Sequence, residues 1–596
     1  MRTLFATLLV LVIVAAGVSE AKAVPKSVID RTKLIDNNWN ILVKGGENGG
    51  GDCAGCTIIV GLLEQYAQLE NSTIDKAIEH LCEKIPGKFG TACAQFFKTF
   101  GPAIIKLIED EATADEVCHV VKLCKDETAT CRLFPPSHLK KHPGAFAHLA
   151  WDNAAAILQS KQKIKRLEEK YASVIPDLRS FNICTILPEV CLVEDHLPAF
   201  DADGDRFSAT HTLRGDYWRG KDCNDNDNKV HPGLASADAT VDQNCNGIFG
   251  TDNATGIPWE TKLCNGTDAM GIGVLGDSAT AHFRIPPGWV TAEDWLRRPD
   301  NFGGVVRDAE DELDWPMLSW STGHLNTSEF SPDIWGPTDS LYLQLRKKNL
   351  CNNNDYQNLG VNGAKSTNLK DFAELLARVN DGDSRPKKPM MLYMAMIGND
   401  VCGGHHGFST MTSVEIYHAA VKEAVLYADS ILPPGSVIGL VGLADGRVLY
   451  EYMHDRIHPL GSTNQDVTYK DVYNFLNCLY ISPCWGWMND NATVRNMTTA
   501  HANLLSAELP KVVSETSGQL VNSRIFSIVD WISAISDAPY PKWELIEPVD
   551  GFHPSQLGNF LLAQYFYNKT RDAGMLPAEN PNNGEIAELF NLNIWT

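Results

Sequence analysis

The stretch GVLGDSATAHF, Gly273 to Phe283, decides the fold and the chemistry expected for the second half of this chain. An aliphatic run typical of a buried strand stops at Gly276-Asp277-Ser278, so a serine hydroxyl stands where the strand ends. A turn or helix cap is one interpretation, because aspartate and serine suit both positions. A serine nucleophile is the other, and residues elsewhere in the chain decide between them.

Strand-like and helical patterns alternate along the chain from Gly273 onward. The apolar runs include GIGVLGDSA, PMMLYMAMIGND and SVIGLVGLADG, and the helical pattern SVEIYHAAVKEAVLYADSIL lies between the second and the third. This alternation predicts an α/β domain with a parallel sheet. Functional residues are then expected at the carboxyl ends of the strands, where Ser278 and Asn399 both stand.

A candidate acid–base pair lies near the C-terminus, in EPVDGFHPSQLGNFLLAQYFY. A hydroxyl becomes a nucleophile when a histidine takes its proton and a carboxylate orients that histidine. Asp550 precedes His553 by three residues, so the two are predicted to lie about one turn apart, fixed by a helix after Ser555. We therefore predict Ser278, Asp550 and His553 as the catalytic residues.

The predicted oxyanion hole consists of the backbone N–H groups of Ser278 and Gly363 and the side-chain amide of Asn399. Together, Gly276-Asp277-Ser278, the glycine of NGAKS, the asparagine of IGND and the Asp-x-x-His of DGFH resemble the ordered blocks of the GDSL esterases, or SGNH hydrolases. The resemblance implies a flavodoxin-like α/β domain that carries out acyl transfer. His405 and His406 follow the asparagine block and are interpreted as loop residues.

The N-terminal third contains six regularly spaced cysteines among helical patterns: Cys53, Cys56, Cys82, Cys93, Cys118 and Cys124. No second Cys-x-x-Cys completes a metal set, and an even total of 16 cysteines favours disulfides in an exported chain. The spacing resembles the saposin B family, which implies Cys53–Cys124, Cys56–Cys118 and Cys82–Cys93 and a small all-α fold that opens to bind lipid. A helical domain that only solubilises or inhibits its neighbour is the alternative. Cys131 is expected to bond to the later domain.

Aspartates and asparagines alternate with other residues in three groups between residues 201 and 246. Such carboxylates can converge on calcium, which prefers hard oxygen ligands, whereas a solvated acidic surface is the alternative. Gly204 and Thr212 depart from the EF-hand pattern, so the first group needs ligands from the later ones. The predicted calcium ligands are Asp201, Asp203, Asp205, Phe207, Asp222, Asn224, Asp225, Asp227, Asp242, Asn244 and Asn246.

The first residues and the sequons predict export. Arg2, an apolar run from Leu4 to about Val14 and small residues before Val24 are typical of a secretory signal peptide, and the rest of the chain has no membrane-spanning run. A net charge of −23 argues against nucleic-acid binding. The predicted glycosylation sites are Asn71, Asn253, Asn265, Asn326, Asn491, Asn496 and Asn568.

The predicted organisation is a signal peptide (1–23), a propeptide (24–48), a saposin B-type domain (49–128), a linker with a processing site (129–180), an acidic calcium-binding segment (181–262) and an SGNH hydrolase domain (263–596). This combination resembles a family of secreted or lysosomal lipopolysaccharide esterases. The resemblance implies hydrolysis of the secondary acyl chains of lipid A, with cleavage into two chains that a disulfide joins. A broader secreted phospholipase or esterase and a non-enzymatic lipid-binding protein are the alternatives.

Overall fold

A computed structural model describes most of the chain after residue 45. It covers residues 46–84, 87–127, 129–135, 154–173, 196–297, 311–330, 334–378, 386–531 and 537–592, without the side chains of 81, 84, 87–96, 99 and 154–156. The predicted signal peptide, most of the predicted propeptide and the side chain of Cys93 lie outside the described residues. In the described part, no helix is both long and apolar enough to cross a membrane.

The N-terminal unit is helical and stapled by disulfides. Its helices are α1 (Gly50–Glu70), α2 (Ile74–Lys84), α3 (Gly87–Glu109), α4 (Ala114–Val120) and α5 (Ala154–Tyr171). Disulfides join Cys53 to Cys124 and Cys56 to Cys118, as the saposin resemblance implies, and Cys82 is also disulfide-bonded. α5 packs on α4, where Ser160 donates a hydrogen bond to Glu116. The helical unit therefore extends into the predicted linker.

The C-terminal unit is built on a five-stranded parallel sheet. Its strands are β1 (Gly271–Gly276), β2 (Tyr356–Gly360), β3 (Met390–Ala395), β4 (Ser436–Val441) and β5 (Ser523–Ile528), in the order β2-β1-β3-β4-β5. This is the flavodoxin-like order, whose topological switch point lies between β1 and β3. β1 is buried along its whole length because helices cover both faces of the sheet. The α/β class expected from the alternating patterns is confirmed.

Helices cover the two faces of the sheet and carry the connections between its strands. They are α6 (Trp259–Cys264), α7 (Ser278–Ala281), α8 (Ala292–Arg297), α9 (Leu341–Lys348), α10 (Leu369–Glu374), α11 (Val414–Ile431), α12 (Arg447–Met453), α13 (Tyr469–Cys478), α14 (Ala492–Ser506), α15 (Glu508–Thr516), α16 (Gln556–Asp572) and α17 (Asn583–Phe590). Side chains such as Leu392 from β3 and Val425 from α11 meet in a core on one face, and Tyr393 from β3 and Phe566 from α16 belong to the core on the other.

The helical unit and the hydrolase unit share one continuous apolar core. Tyr66 of α1 lies 6.2 Å, centroid to centroid, from the ring of Trp295 in α8. The buried side-chain amide of Gln65 donates to the carbonyl of Leu460 at 2.8 Å. Cys131 is bonded to Cys478 at the end of α13, so the expectation that Cys131 pairs with the later domain is confirmed. The helical unit is thus fixed against the loops that surround the site described below.

The acidic segment packs along the edge of the sheet at β2. The amide of Asn358 donates to the carbonyl of Trp218 at 2.7 Å, and the amide of Gly220 donates to the carbonyl of Tyr356 at 2.9 Å. A Cys223–Cys245 disulfide ties the segment to itself. Because an uncovered strand edge exposes unpaired N–H and C=O groups, the acidic segment completes the hydrogen bonding of β2.

Candidate active site

Ser278 stands at the carboxyl end of β1 and begins the short helix α7. Asp277 caps this helix, since its side chain accepts a hydrogen bond from the amide of Ala279 at 3.1 Å. Glycine is required at 276, because a Cβ there would lie 2.2 Å from the hydroxyl of Thr280. Asp277, and not Ser278, therefore caps the helix. The Ser278 hydroxyl is left free to serve another role.

Ser278, His553 and Asp550 form a continuous hydrogen-bonded row. His553 Nε2 lies 2.7 Å from Ser278 Oγ, and His553 Nδ1 lies 2.6 Å from Asp550 Oδ2. All three side chains are nearly buried, with 7, 3 and 5% of their residue surfaces exposed. Low solvent exposure strengthens the pairing of imidazole and carboxylate, so this row is arranged to take a proton from a serine hydroxyl.

Asp550 and His553 lie in a turn and not on a helix, which differs from the one-turn helical spacing expected from the sequence. The second carboxylate oxygen of Asp550 explains the contact, because it accepts the amides of Phe552 and His553 at 2.7 and 3.0 Å. The expected helix follows at once: Ser555 caps α16 by accepting the amide of Gly558. A fixed turn, backed by a helix, therefore holds the acid–base pair.

The two predicted oxyanion donors lie at the ends of the strands on either side of β1. Gly363 has a φ of 83° and open space where a Cβ would stand. Asn399 lines the pocket that Ser278 and His553 also line. Asp400 accepts two hydrogen bonds from Ser366, through its amide at 3.0 Å and its hydroxyl at 2.7 Å, and so joins the segments that follow Gly363 and Asn399.

Asp277 connects the serine segment with the asparagine segment, a role that the sequence did not reveal. Its Oδ2 atom accepts the amides of Ile397 and Gly398 at 2.8 and 3.2 Å. Burial raises the pKa of Asp277 to about 6, and the hydrogen bonds from the amides of Ile397 and Gly398 oppose this shift. The position of Asp277 in the Gly-Asp-Ser block was the only available signal, because its partners lie 120 residues away.

An apolar pocket that is partly open to solvent begins at Ser278 and His553. The apolar part of its lining includes Leu449, Trp487, Trp531, Phe552 and Leu562. Gly446 is close-packed there, since a Cβ would lie 2.1 Å from the ring of Trp487. A pocket with these walls suits a hydrocarbon chain attached to the reacting carbonyl.

The surroundings of two other histidines near the site, His282 and His406, indicate structural and not catalytic roles. Burial lowers the pKa of His282 to about 3, so it is uncharged at any physiological pH. His406 stacks on Tyr480 with 4.0 Å between ring centroids, and its Nε2 atom lies 2.9 Å from the carbonyl of Asn477. His405 lies next to it in the same exposed loop. The surroundings of His406 agree with its interpretation as a loop residue.

The acidic segment brings two of its three predicted groups together. Asp201, Asp203 and Asp225 form one cluster, and Asp203, Asp205 and Asp222 form a second, with the oxygens of each cluster within 4.8 Å of one another. Burial and repulsion from neighbouring aspartates raise the pKa of Asp205 to about 8 and that of Asp222 to about 6. These clusters can hold a metal ion.

The remaining predicted ligands are not among the carboxylates that form these two clusters. Asn224 and Asp227 are exposed, and Phe207 stacks its buried ring on His231. The amides of Asn244 and Asn246 donate to Glu260 at 3.1 and 3.0 Å. Burial and repulsion from Asp238 raise the pKa of Asp242 to about 6, so the third group has its own acidic neighbour, which sequence analysis missed.

Comparison with known proteins agrees with the fold. Residues 52–184 match the family model of the saposin-like domain, and residues 272–566 match that of the GDSL-like lipase/acylhydrolases. The chain is therefore an esterase of the GDSL class that carries a saposin-like domain. It is 38% identical to the acyloxyacyl hydrolases of Homo sapiens and Mus musculus, over 91% of this chain and 93% of each relative. The chain belongs to the acyloxyacyl hydrolase family.

Proposed function

We propose that this protein hydrolyses the secondary, acyloxyacyl-linked fatty acyl chains of lipid A in bacterial lipopolysaccharide. The observation that carries the proposal is the 2.7 Å contact between Ser278 Oγ and His553 Nε2 at the mouth of an apolar pocket. The family relationship supports the type of ester bond. Export by the predicted signal peptide, to lysosomes or to the outside of the cell, would bring the enzyme to bacterial lipid.

The proposed reaction has two halves. His553 takes the proton of Ser278 as Oγ attacks the ester carbonyl, and Asp550 stabilises the imidazolium that forms. The Ser278 and Gly363 amides and the Asn399 side chain receive the oxyanion. His553 then protonates the departing alcohol oxygen, which remains on the primary acyl chain. A water molecule, deprotonated by the same histidine, attacks the acyl-enzyme and releases a free fatty acid.

The helical unit supports action on a lipid that starts in an aggregate. Its α1 helix shares a core with Trp289, Val290 and Phe283, and Phe283 lies 5.0 Å, centroid to centroid, from His553. Apolar surface from the saposin-like unit is therefore continuous with the surroundings of the catalytic base. In the proposed function this unit shelters the lipid chains that are not being hydrolysed.

We also infer that the ion held by the acidic segment is calcium. Buried carboxylate oxygens of Asp203, Asp205 and Asp222 have no hydrogen-bond partner, which fits a hard cation with several oxygen ligands. The positive charge of such an ion offsets the repulsion between these carboxylates. The residues that hold it lie on the segment that completes the β2 edge, so their role is to stabilise the strand that leads to Gly363.

The experiment that tests the substrate is the release of fatty acid from lipopolysaccharide, with ester-linked secondary chains and directly glucosamine-linked primary chains measured separately. We expect the wild type to release secondary chains alone, Ser278→Ala to release none, and Ser430→Ala, which changes an exposed serine on α11, to match the wild type. Release from phospholipid but not from lipopolysaccharide would support the broader lipase. Lipid binding without release from either would support the non-enzymatic alternative.

A further inference from the structure

Glu547 lies at the base of the turn that carries Asp550 and His553, and it is 0% exposed. The turn is closed at its neck, where Ile546 and Pro554 form an antiparallel bridge. The amide of Glu547 donates to the carbonyl of His553 at 2.8 Å, and the amide of Gly551 donates to the carbonyl of Glu547 at 2.9 Å. The backbone of Glu547 is therefore part of the frame that sets the position of the catalytic base.

The side chain of Glu547 turns back into the same frame. Its Oε2 atom accepts the amides of Val549 and Asp550 at 2.8 and 2.7 Å. These two bonds fix the two peptide groups that precede the Asp550 Cα. The Asp550 side chain in turn lies 2.6 Å from His553 Nδ1. A chain of short contacts thus leads from Glu547 through Asp550 to the imidazole of His553.

We propose that Glu547 is a positioning residue of the catalytic site, which holds the Asp550–His553 turn in its reactive geometry by accepting two backbone N–H bonds. The contribution comes from hydrogen bonding and not from charge. The inference rests on the proposed function only in that it takes Ser278, His553 and Asp550 as the catalytic groups. It does not depend on which ester is the natural substrate.

The surroundings of Glu547 favour its neutral form. Burial, together with repulsion from Asp550, raises the pKa of Glu547 to about 8, and the Arg284 guanidinium opposes the shift. Burial lowers the pKa of His458, whose Nε2 atom lies 2.6 Å from the Val549 carbonyl, to about 4, so this neighbour of the turn is uncharged at neutral pH. Tyr469 and Tyr473 of α13 donate to the carbonyls of Pro548 and Gly551.

A neutral Glu547 leaves Asp550 as the carboxylate that pairs with the imidazolium. A second negative charge beside Asp550 would have to be buried without the solvent that normally stabilises it. The Oε1 atom of Glu547 has no hydrogen-bond partner in the structure, which is a smaller penalty for a carboxylic acid than for a carboxylate. A glutamine at this position can keep an oxygen that accepts the Val549 and Asp550 amides, and it adds no charge.

The test compares Glu547→Gln, Glu547→Ala and the matched control Glu544→Ala, which changes a carboxylate in the same segment with a more exposed side chain. The substrate is p-nitrophenyl butyrate, a short soluble ester, assayed well below the unfolding temperature of every variant. We expect Glu547→Ala to lower kcat about 100-fold, because a displacement of about 1 Å in a reacting group has that effect. The KM of Glu547→Ala should change little. Glu547→Gln and Glu544→Ala should both keep kcat within about threefold of the wild type, because each leaves the hydrogen bonds from the Val549 and Asp550 amides in place.

The pH profile separates positioning from simple stabilisation of the fold. The Asp550 carboxylate stabilises the protonated form of the catalytic base, so the acid limb of kcat/KM should move to lower pH when Glu547→Ala displaces this carboxylate and stay in place in Glu547→Gln. Wild-type kcat in folded Glu547→Ala would overturn the proposal. Equal losses in Glu547→Gln and Glu547→Ala would overturn it as well, because charge would then be the essential property.

Two further controls keep the result interpretable. If Glu547→Ala does not fold, Glu547→Asp carries the test: its carboxyl group is one methylene shorter, so a folded variant with about tenfold lower kcat supports positioning. Wild-type kcat in Glu547→Asp would contradict it. Ser278→Ala must abolish ester hydrolysis; if it does not, the catalytic assignment fails, whereas inactivity of the wild type toward lipopolysaccharide alone would affect only the proposed substrate.

Discussion

At the residue scale, the geometry of the site depends on a few carboxylates that accept hydrogen bonds through both of their oxygens. Asp277 caps α7 with one oxygen and accepts two amides of the neighbouring strand's loop with the other. Asp550 holds its own turn with one oxygen and the imidazole with the other. Each carboxylate therefore connects a local turn to the geometry of the site, and substitution should change both.

Asp550→Asn tests the orientation of the catalytic base. The amide oxygen can still accept the amides of Phe552 and His553, so the fold and the unfolding temperature should be preserved. The imidazole loses its carboxylate, and we expect kcat for ester hydrolysis to fall about 10³- to 10⁴-fold, the size of effect known when this partner becomes an amide. A folded Asp550→Asn protein with kcat within tenfold of the wild type would show that another group orients His553.

At the element scale, the carboxyl ends of β1, β2 and β3 bring Ser278, Gly363 and Asn399 to one edge of the sheet. The register explains this, because Gly276 stands opposite Gly360 on one side and Ala395 on the other. The acidic segment lies along the lateral edge of the sheet, where it supports β2, the strand that leads to Gly363. The stability of that segment should therefore matter to the site as well as to the fold.

The acidic clusters predict a calcium effect that grows with pH. In the metal-free protein the raised pKa values of Asp205, about 8, and Asp222, about 6, mean that the folded state holds protons more tightly than the unfolded chain. Metal-free stability should therefore fall as pH rises from about 4 to about 8. Calcium competes with protons for the same oxygens, so the stabilisation of the folded protein by calcium should increase over the same pH range.

Thermal unfolding at pH 4.5 and pH 7.5, with calcium and with a chelator, checks this expectation. The increase in unfolding temperature on adding calcium should be larger at pH 7.5, and Asp205→Asn should reduce it. Asp268→Asn, which changes an exposed aspartate outside the clusters, should keep it. An equal calcium effect at both pH values, or none at either, would contradict the assignment of these carboxylates as ligands.

At the scale of the whole molecule, the helical unit and the sheet unit are joined by a common core and by Cys131–Cys478, whose cysteines are 347 residues apart. Cleavage in the predicted linker, 129–180, leaves the two pieces connected if it falls after Cys131. The basic stretch Ser160–Tyr171, which lies in that linker, follows this cysteine. The two-chain form that the family resemblance implies is therefore compatible with this disulfide.

Cys478→Ser tests this connection. After proteolytic cleavage in the linker, we expect the wild type to run as one species on a denaturing gel without reductant and as two with it, whereas Cys478→Ser should run as two in both conditions. Loss of a disulfide that closes so long a loop should also lower the free energy of unfolding by about 2–4 kcal/mol. Separation of the cleaved wild-type chains without reductant would contradict the two-chain proposal.

The sequence predicted those parts of the molecule that have a local signal. A strand that ends in Gly-Asp-Ser and an Asp-x-x-His spacing each occupy a few neighbouring residues, and the structure brings the serine and the histidine together. The apolar pocket has no such local signal, because Trp487 and Trp531 reach it from distant loops. The partner of Cys131 and the bridging role of Asp277 also depend on contacts between distant segments, which no local pattern encodes.

The central claim is that Ser278 is the nucleophile of an esterase, and covalent labelling tests it most directly. Incubation with an alkyl fluorophosphonate, followed by mass spectrometry of the peptides, locates the reactive residue. We predict one adduct per chain, on the peptide that contains Ser278, with ester hydrolysis lost in proportion to labelling and no adduct in Ser278→Ala. An adduct on another residue that accounts for the lost activity, or full labelling of Ser278 with hydrolysis retained, would contradict the account.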